Sequence, residues 1–138
     1  MVELKLDAAQ TQALIYGGLP VAHDSGLQVE EVRPNYARIR LPFSPRMLRP
    51  GHVISGPTLF TAADSAMYAL VLSHLGPELM AVTSQFNLNF LSKGAPGDVT
   101  GEAHLLKLGR KLVVMEVRLR TGESPGLVAH GTGTYARP

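Results

Sequence analysis

The chain has 138 residues, enough for one domain with a buried core, and its 45% apolar against 17% charged residues mark it as globular rather than disordered. It contains no cysteine, which excludes disulfides and thiolate metal sites and accords with a cytoplasmic protein. A net charge of +2, no tryptophan and 6% aromatic residues give no support to a nucleic-acid-binding surface, although such a charge would tolerate an anionic ligand.

Met1–Asp7 lacks a basic region followed by an apolar run, so no signal peptide is expected. Asp7–Tyr16 reads as a short helix, at about 7–17, ended by Gly17–Gly18, with Leu14 and Ile15 packing as a lid on the main body. Leu19–Gly26 reads as a loop or a single turn, and its adjacent His23 and Asp24 as solvated loop residues. Leu27–Val32 is a strand, Arg33–Pro34–Asn35 a turn, and Tyr36–Leu41 a half-buried strand with Ala37, Ile39 and Leu41 on one face. Phe43–Gly51 is broken by proline and glycine and reads as an irregular loop.

The longest apolar stretch, Ser55–Leu75, comes next. Ser55 offers a capping hydroxyl, Pro57 sits in the first turn where its missing N–H costs nothing, and Gly76–Pro77 stops the helix. Such a helix is apolar most of the way round and must be wrapped. Thr61, Asp64, Ser65 and Ser73 interrupt it, so it is a poor membrane span. A carboxylate on a mostly buried helix is costly unless paired or used, and Asp64 is that carboxylate. It belongs either to a polar stripe with Thr61, Ser65 and Tyr68 that faces solvent or a partner, or to a reactive site.

Met80–Leu91 alternates, with Val82, Phe86, Leu88 and Phe90 facing one way and Thr83, Gln85, Asn87 and Asn89 the other. A turn at Ser92–Asp98 leads to a long strand, Val99–Leu108, and Gly109–Arg110 makes a tight connection. Leu112–Arg120 alternates most strongly, setting Val113, Met115, Val117 and Leu119 against Val114, Glu116, Arg118 and Arg120. Thr121–Gly126 turns the chain into a last strand, Leu127–Tyr135. The Arg38/Arg40 and Arg118/Arg120 pairs read as outward strand faces, paired across strands with Glu30, Glu31 or Glu116.

Short late connections predict an antiparallel sheet. The expectation is a single α+β domain over residues 1–138, with five or six strands curled around one long helix. The open side of that sheet predicts a homo-oligomer, most simply a two-fold dimer.

This arrangement, with SGPTLFTAADSA at the helix start, resembles the hotdog fold, and in particular the phenylacetic-acid-type thioesterases of that superfamily. Gly56 and Asp64 hold the places of the family's glycine and aspartate on the long helix. Thr83 leading to NLNFLSKGAPGD is similar to its strand-and-turn segment, and Lys107, Gly109 and Arg110 to its Lys-x-Gly-Arg hairpin. The resemblance spans roughly Leu27–Tyr135. Two positions depart from it. Ser55 and Pro57 replace the family's His and second Gly, and Arg49 stands where an Asn is common.

The resemblance implies hydrolysis of an acyl-CoA or related acyl thioester, without cofactor or metal, in a homodimer or dimer of dimers. Asp64 would act as general base or nucleophile and the Gly56 N–H as oxyanion donor, since a helix N-terminus presents unpaired N–H groups and the positive end of the dipole. Eight residues of helix separate the two by about 12 Å, so both cannot reach one carbonyl within one subunit, and a shared site between antiparallel helices follows. Thr83 would bond the water or the carboxylate. Ser55, Arg49, His52, Lys93, Lys107, Arg110 and Lys111 complete the candidate substrate-binding set, the cations for the coenzyme's phosphates or simply as solvated charge, Ser55 otherwise as a plain helix cap. Phe60, Met67, Tyr68 and Met80 are candidates for setting acyl-tunnel depth. The alternatives are a non-catalytic acyl-thioester-binding protein and a 3-hydroxyacyl-thioester dehydratase using His52 with Asp64.

Overall fold

The computed structural model describes residues 3–138. Its elements are α1 (Ala8–Gly18), α2 (Pro20–Ser25), β1 (Gln28–Arg33), β2 (Tyr36–Leu41), β3 (Leu48–Arg49), β4 (Val53–Ile54), α3 (Gly56–Leu75), β5 (Val82–Phe90), β6 (Val99–Leu108), β7 (Leu112–Thr121) and β8 (Ala129–Ala136). Six strands form one antiparallel sheet in the order β1-β2-β6-β7-β8-β5, and β3 and β4 form a separate two-stranded hairpin. This is the α+β wrapped-helix arrangement expected.

Helix α3 starts where its sequence says it should. The Ser55 hydroxyl accepts the Thr58 N–H at 3.3 Å, Pro57 occupies the first turn, and Gly76, at φ 90°, ends it. Leu59, Ala62, Ala63, Ala66, Met67 and Leu70 are buried against the sheet. The alanines keep that face thin, and glycines on the sheet let it come close. A Cβ on Gly133 would lie 2.3 Å from Met67 Sδ, and one on Gly131 would lie 2.1 Å from the Asn87 carbonyl oxygen. Any side chain there would push helix or strand away. The facing strands supply the rest of the core. Val113, Met115, Val117 and Leu119 on β7, with Ala37 and Ile39 on β2, are fully buried as their alternation predicts.

The C-terminal end of α3 is tied by polar contacts. Ser73 O accepts the Lys5 and Leu6 N–H groups, and His74 Nε2 accepts the Asn35 N–H at 2.9 Å from the β1–β2 turn. Burial pulls the His74 imidazole below its ordinary value of 6.5, as suits a ring that must accept at Nε2. The outer sheet face carries ion pairs for its arginines, across strands as expected for Arg38 and Arg40, whereas Arg118 meets Glu116 on its own strand and Arg120 meets Glu102, a partner the sequence did not single out. Arg38 reaches Glu30 at 3.1 Å and Glu31 at 2.9 Å, Arg40 reaches Glu30 at 2.6 Å, Arg118 reaches Glu116 at 2.9 Å, and Arg120 pairs with Glu102.

Four local features differ from the sequence reading. Helix α1 runs through Gly17 and Gly18, because the Leu19 N–H still bonds the Ile15 carbonyl at 2.8 Å. Leu19–Gly26 contains a six-residue helix, α2, started by Pro20 and closed by Gly26 at φ 74°. The loop before α3 folds into the β3–β4 hairpin and a 3-10 turn at Pro45–Met47.

The fourth difference is in β5. A bulge at Ser84 shifts the β5–β8 register, so Thr83 stands opposite Tyr135 while Phe86 stands opposite Gly133 and Leu88 opposite Gly131. Residues directly opposite share a face. Thr83 therefore points to the helix side with Phe86, Leu88 and Phe90, and Val82 points outward, the reverse of what strict alternation assigns them. One extra residue flips every side chain before it.

Candidate active site

Asp64 lies on the one stripe of α3 that the sheet leaves uncovered, with Phe60 and Thr61 exposed and Ser65 and Tyr68 half-buried. The polar stripe expected from the sequence is real, and its carboxylate is paired. Thr83 Oγ1 donates to Asp64 Oδ1 at 2.9 Å, which the bulge makes possible. Tyr135 Oη donates to the same oxygen at 2.7 Å. Sequence reasoning missed Tyr135. It reads as one more large residue on a buried strand face, and only the β5–β8 register shows that it meets Asp64. Burial first, then the Asp64 carboxylate, push the Tyr135 phenol far above its ordinary value of 10.0, so it stays a donor.

Two grooves meet at Asp64. One, of about 430 Å³, runs beneath α2 and is walled by Leu19, Val21, Leu27, Leu41, Met47 and Phe60. The other, of about 250 Å³, is bounded by Tyr68, Leu79, Val82, Thr83 and Tyr135. An apolar trough that ends at one held carboxylate can take an acyl chain and present its carbonyl carbon to an oxygen base or nucleophile. Among the expected tunnel residues, Phe60 and Tyr68 line these grooves. Met67 is fully buried in the core and Met80 is 76% exposed.

Gly56 is the first residue of α3, at the other end of the stripe. A Cβ there would lie 3.6 Å from the Phe90 ring, and Gly56, Pro57, Phe60, Thr61 and Phe90 line a third, open depression. Thr83 and Phe90 lie toward opposite ends of β5, so Asp64 and Gly56 do as well. Ser55 caps the helix and bonds the Thr58 hydroxyl at 2.8 Å. Arg49, on β3, and His52, at φ 59° in the following turn, are exposed, and the His52 side chain makes no hydrogen bond among the described residues.

Lys93, Lys107, Arg110 and Lys111 are exposed and form no ion pair among the described residues, unlike the arginines of the outer face. The structure does not bring all four together within one chain. Lys93 follows the end of β5, whereas the other three surround the β6–β7 turn, at the far end of ten-residue strands about 33 Å long. Arg137 joins that turn, bonding the Gly109 carbonyl at 3.2 Å and Glu78 at 3.3 Å. The adjacent His23 and Asp24 are exposed and 3.7 Å apart, a solvated pair as expected.

A profile described as the thioesterase superfamily matches residues 51–127 of the chain, from the turn before α3 to the loop that leads into β8. A crystal structure from Silicibacter sp. TM1040, named only provisionally as a thioesterase, is 37% identical, covers 99% of this chain and 95% of its own, and superposes with a TM-score of 0.91. The phenylacetic acid degradation protein PaaI of Thermus thermophilus is 28% identical over 86% of this chain and 99% of its own, with a TM-score of 0.73. A protein of Saccharolobus solfataricus, provisionally named an esterase, is 29% identical over 110 residues, 80% of this chain and 72% of its own. The residues matched by the profile include helix α3, with Gly56 and Asp64, and strand β5, with Thr83. The chain belongs to the thioesterase superfamily and has the hotdog fold.

Proposed function

We propose that the protein hydrolyses an acyl-CoA, or a related acyl thioester, to the free acid and thiol, at a site shared between two copies of the chain. The observation that carries this reading is the Asp64 carboxylate, held by Thr83 at 2.9 Å and Tyr135 at 2.7 Å where an apolar groove opens. In the base form of the reaction, Asp64 takes a proton from water as the water oxygen bonds to the thioester carbonyl carbon. The carbonyl oxygen becomes an oxyanion. Its collapse breaks the C–S bond, and the leaving thiolate takes the proton back. In the nucleophile form, an Asp64 oxygen bonds to the carbonyl carbon, the C–S bond breaks and the thiolate leaves; water then cleaves the resulting anhydride to the free acid and the Asp64 carboxylate, and its proton goes to the thiolate.

The oxyanion donor in this reading is the Gly56 N–H of the second copy. Among the described residues strand β5 pairs only with β8, which leaves its other edge without a partner strand, and Val82, Phe90 and Leu91 are each more than half exposed. A two-fold axis through the middle of β5 would join two free edges into one sheet. It would also lay the Phe90 end of one copy, with Gly56, beside the partner's Thr83 end, with Asp64. The same rotation carries Lys93 toward the partner's β6–β7 turn with its unpaired cations, where coenzyme phosphates would sit. A dimer of dimers is a further association of this unit, and the same reading sites the work in the cytoplasm. No helix in the described residues is long and apolar enough to cross a membrane.

The test is thiol release across short, medium, long and aryl acyl-CoAs. Turnover on at least one class is expected, with loss in both Asp64→Asn and a Gly56 variant. Mixed dimers of the two variants should recover activity at one of their two sites. Saturable binding with no turnover on any substrate would make the chain an acyl-thioester-binding protein instead.

A further inference from the structure

Both donors to Asp64 fall on one oxygen. Thr83 and Tyr135 each bond Oδ1, and among the described residues none donates to Oδ2. We propose that Tyr135 is a positioning residue, which with Thr83 clamps Oδ1 so that Oδ2 is the oxygen turned toward the substrate. This rests on the hydrolase reading above, but the clamp itself can be read without turnover.

Three observations support it. Tyr135 is 3% exposed and its ring stacks on Tyr68, centroids 6.0 Å apart and planes 21° apart, so its hydroxyl has little freedom to leave. Tyr68 is itself anchored, donating to the Leu79 carbonyl at 3.2 Å. The register sets Tyr135 opposite Thr83, so two neighbouring strands deliver two donors to one point. The residues lining the two grooves at Asp64 include no Lys, Arg, His or Glu. The titratable groups that face the carboxylate there are the Tyr135 phenol, on β8, and the Tyr68 phenol, on α3 itself. Both are pushed above the ordinary tyrosine value, chiefly by burial, so both are neutral donors at neutral pH.

A carboxylate free to rotate exchanges its two oxygens. One held at Oδ1 presents the same oxygen, in the same direction, at every encounter. The clamp should therefore act on kcat rather than on substrate affinity.

Tyr135→Phe keeps the ring and its stack and removes only the hydroxyl. Loss of one hydrogen bond to a charged group should lower kcat about ten- to a hundredfold, with KM moving less than about threefold. Thr83→Val should lower kcat as well. The double variant should lose less than the product of the two single losses, because both donors serve one oxygen. The second readout is the carboxyl ¹³C spectrum. The chain has only four aspartates, Asp7, Asp24, Asp64 and Asp98, so Asp64→Asn assigns the Asp64 signal. Tyr135→Phe should shift that signal and leave the other three in place. An unmoved Asp64 signal overturns the clamp, whether kcat falls or not, since any loss would then come through the fold. A shifted signal in a protein that turns over no thioester upholds the clamp and removes the hydrolase reading instead.

Discussion

Strands β7 and β5 carry the same kind of pattern and meet different fates. On β7 the alternate residues Val113, Met115, Val117 and Leu119 are fully buried beneath α3. On β5 the alternate residues Phe86, Leu88 and Phe90 point to the same side of the same sheet, yet Phe86 and Leu88 are only half-buried and Phe90 is 56% exposed. The helix covers the middle of the sheet and stops short of its β5 edge. An apolar strand face that its own chain leaves uncovered marks where another surface belongs, and here it borders the stripe that holds Asp64. The closed side of the molecule stabilises the fold, and the open side is where the proposed chemistry would take place.

That contrast can be broken in order of effect. Asp64→Asn, on the open side, should lower kcat by about 10²–10⁴-fold, the usual contribution of a general base, with the thermal midpoint little changed. Full activity in that variant would remove Asp64 from its role. Met115→Ala, on the closed side, should do the opposite, costing about 2–5 kcal/mol in urea unfolding while kcat per folded molecule stays close to wild type. Its counterpart Phe90→Glu should change monomer stability by less than about 0.5 kcal/mol but halve the mass seen by light scattering. A dimer that survives it would move the interface away from β5.

Deleting Ser84 sharpens the comparison from within β5. The deletion removes the unpaired residue but leaves Thr83 opposite Tyr135 and now next to Gln85, so Thr83 stays on the helix side, its bond to Asp64 is kept, and kcat should stay within about tenfold of wild type. A loss as large as that of Thr83→Val would show that the bulge itself is needed to aim the hydroxyl at Oδ1.

The smallest effect concerns the closed side alone. His74 titrates below 6.5 when folded and near 6.5 when unfolded. Below about pH 6.5 the unfolded chain therefore takes up the proton first, so this residue's contribution is intact above that pH and is lost as pH falls through it. His74→Gln should flatten that part of the decline in the thermal midpoint between pH 7.5 and 5.5. An unchanged slope would mean that His74 is not the group responsible.

Much of this is legible in the sequence because it is written locally. Ser55, Pro57 and Gly76 bracket α3, and period-two runs separated by glycine and proline turns give the sheet. Asp64 stands out because it is a charge among alanines. What escapes depends on distant partners. The bulge at Ser84 has no glycine or proline to announce it, so strict alternation puts Thr83 on the wrong face. Tyr135 gives no sign of its partner until β8 is set beside β5. Arg49, His52 and Lys93 share a positive or titratable side chain but no local pattern, and within one chain the structure leaves Lys93 at the other end of the strands from the hairpin cations Lys107, Arg110 and Lys111. The small elements α2, β3 and β4 are too short to show a period.

The pairing of β5 with β8 also governs when the site can exist during synthesis. Strand β5 follows α3 directly, but its partner is the last strand of the sheet, so Asp64 and Thr83 leave the ribosome long before Tyr135. Until then β5 has no strand to pair with and the carboxylate has no phenol. The β6–β7 hairpin is local and can form early, whereas closing β5 onto β8 is a non-local step that waits for nearly the whole chain. A nascent chain stalled before Tyr135 would hold a largely built sheet and an unfinished site. The proposed site therefore needs the last strand of the sheet before it can be complete.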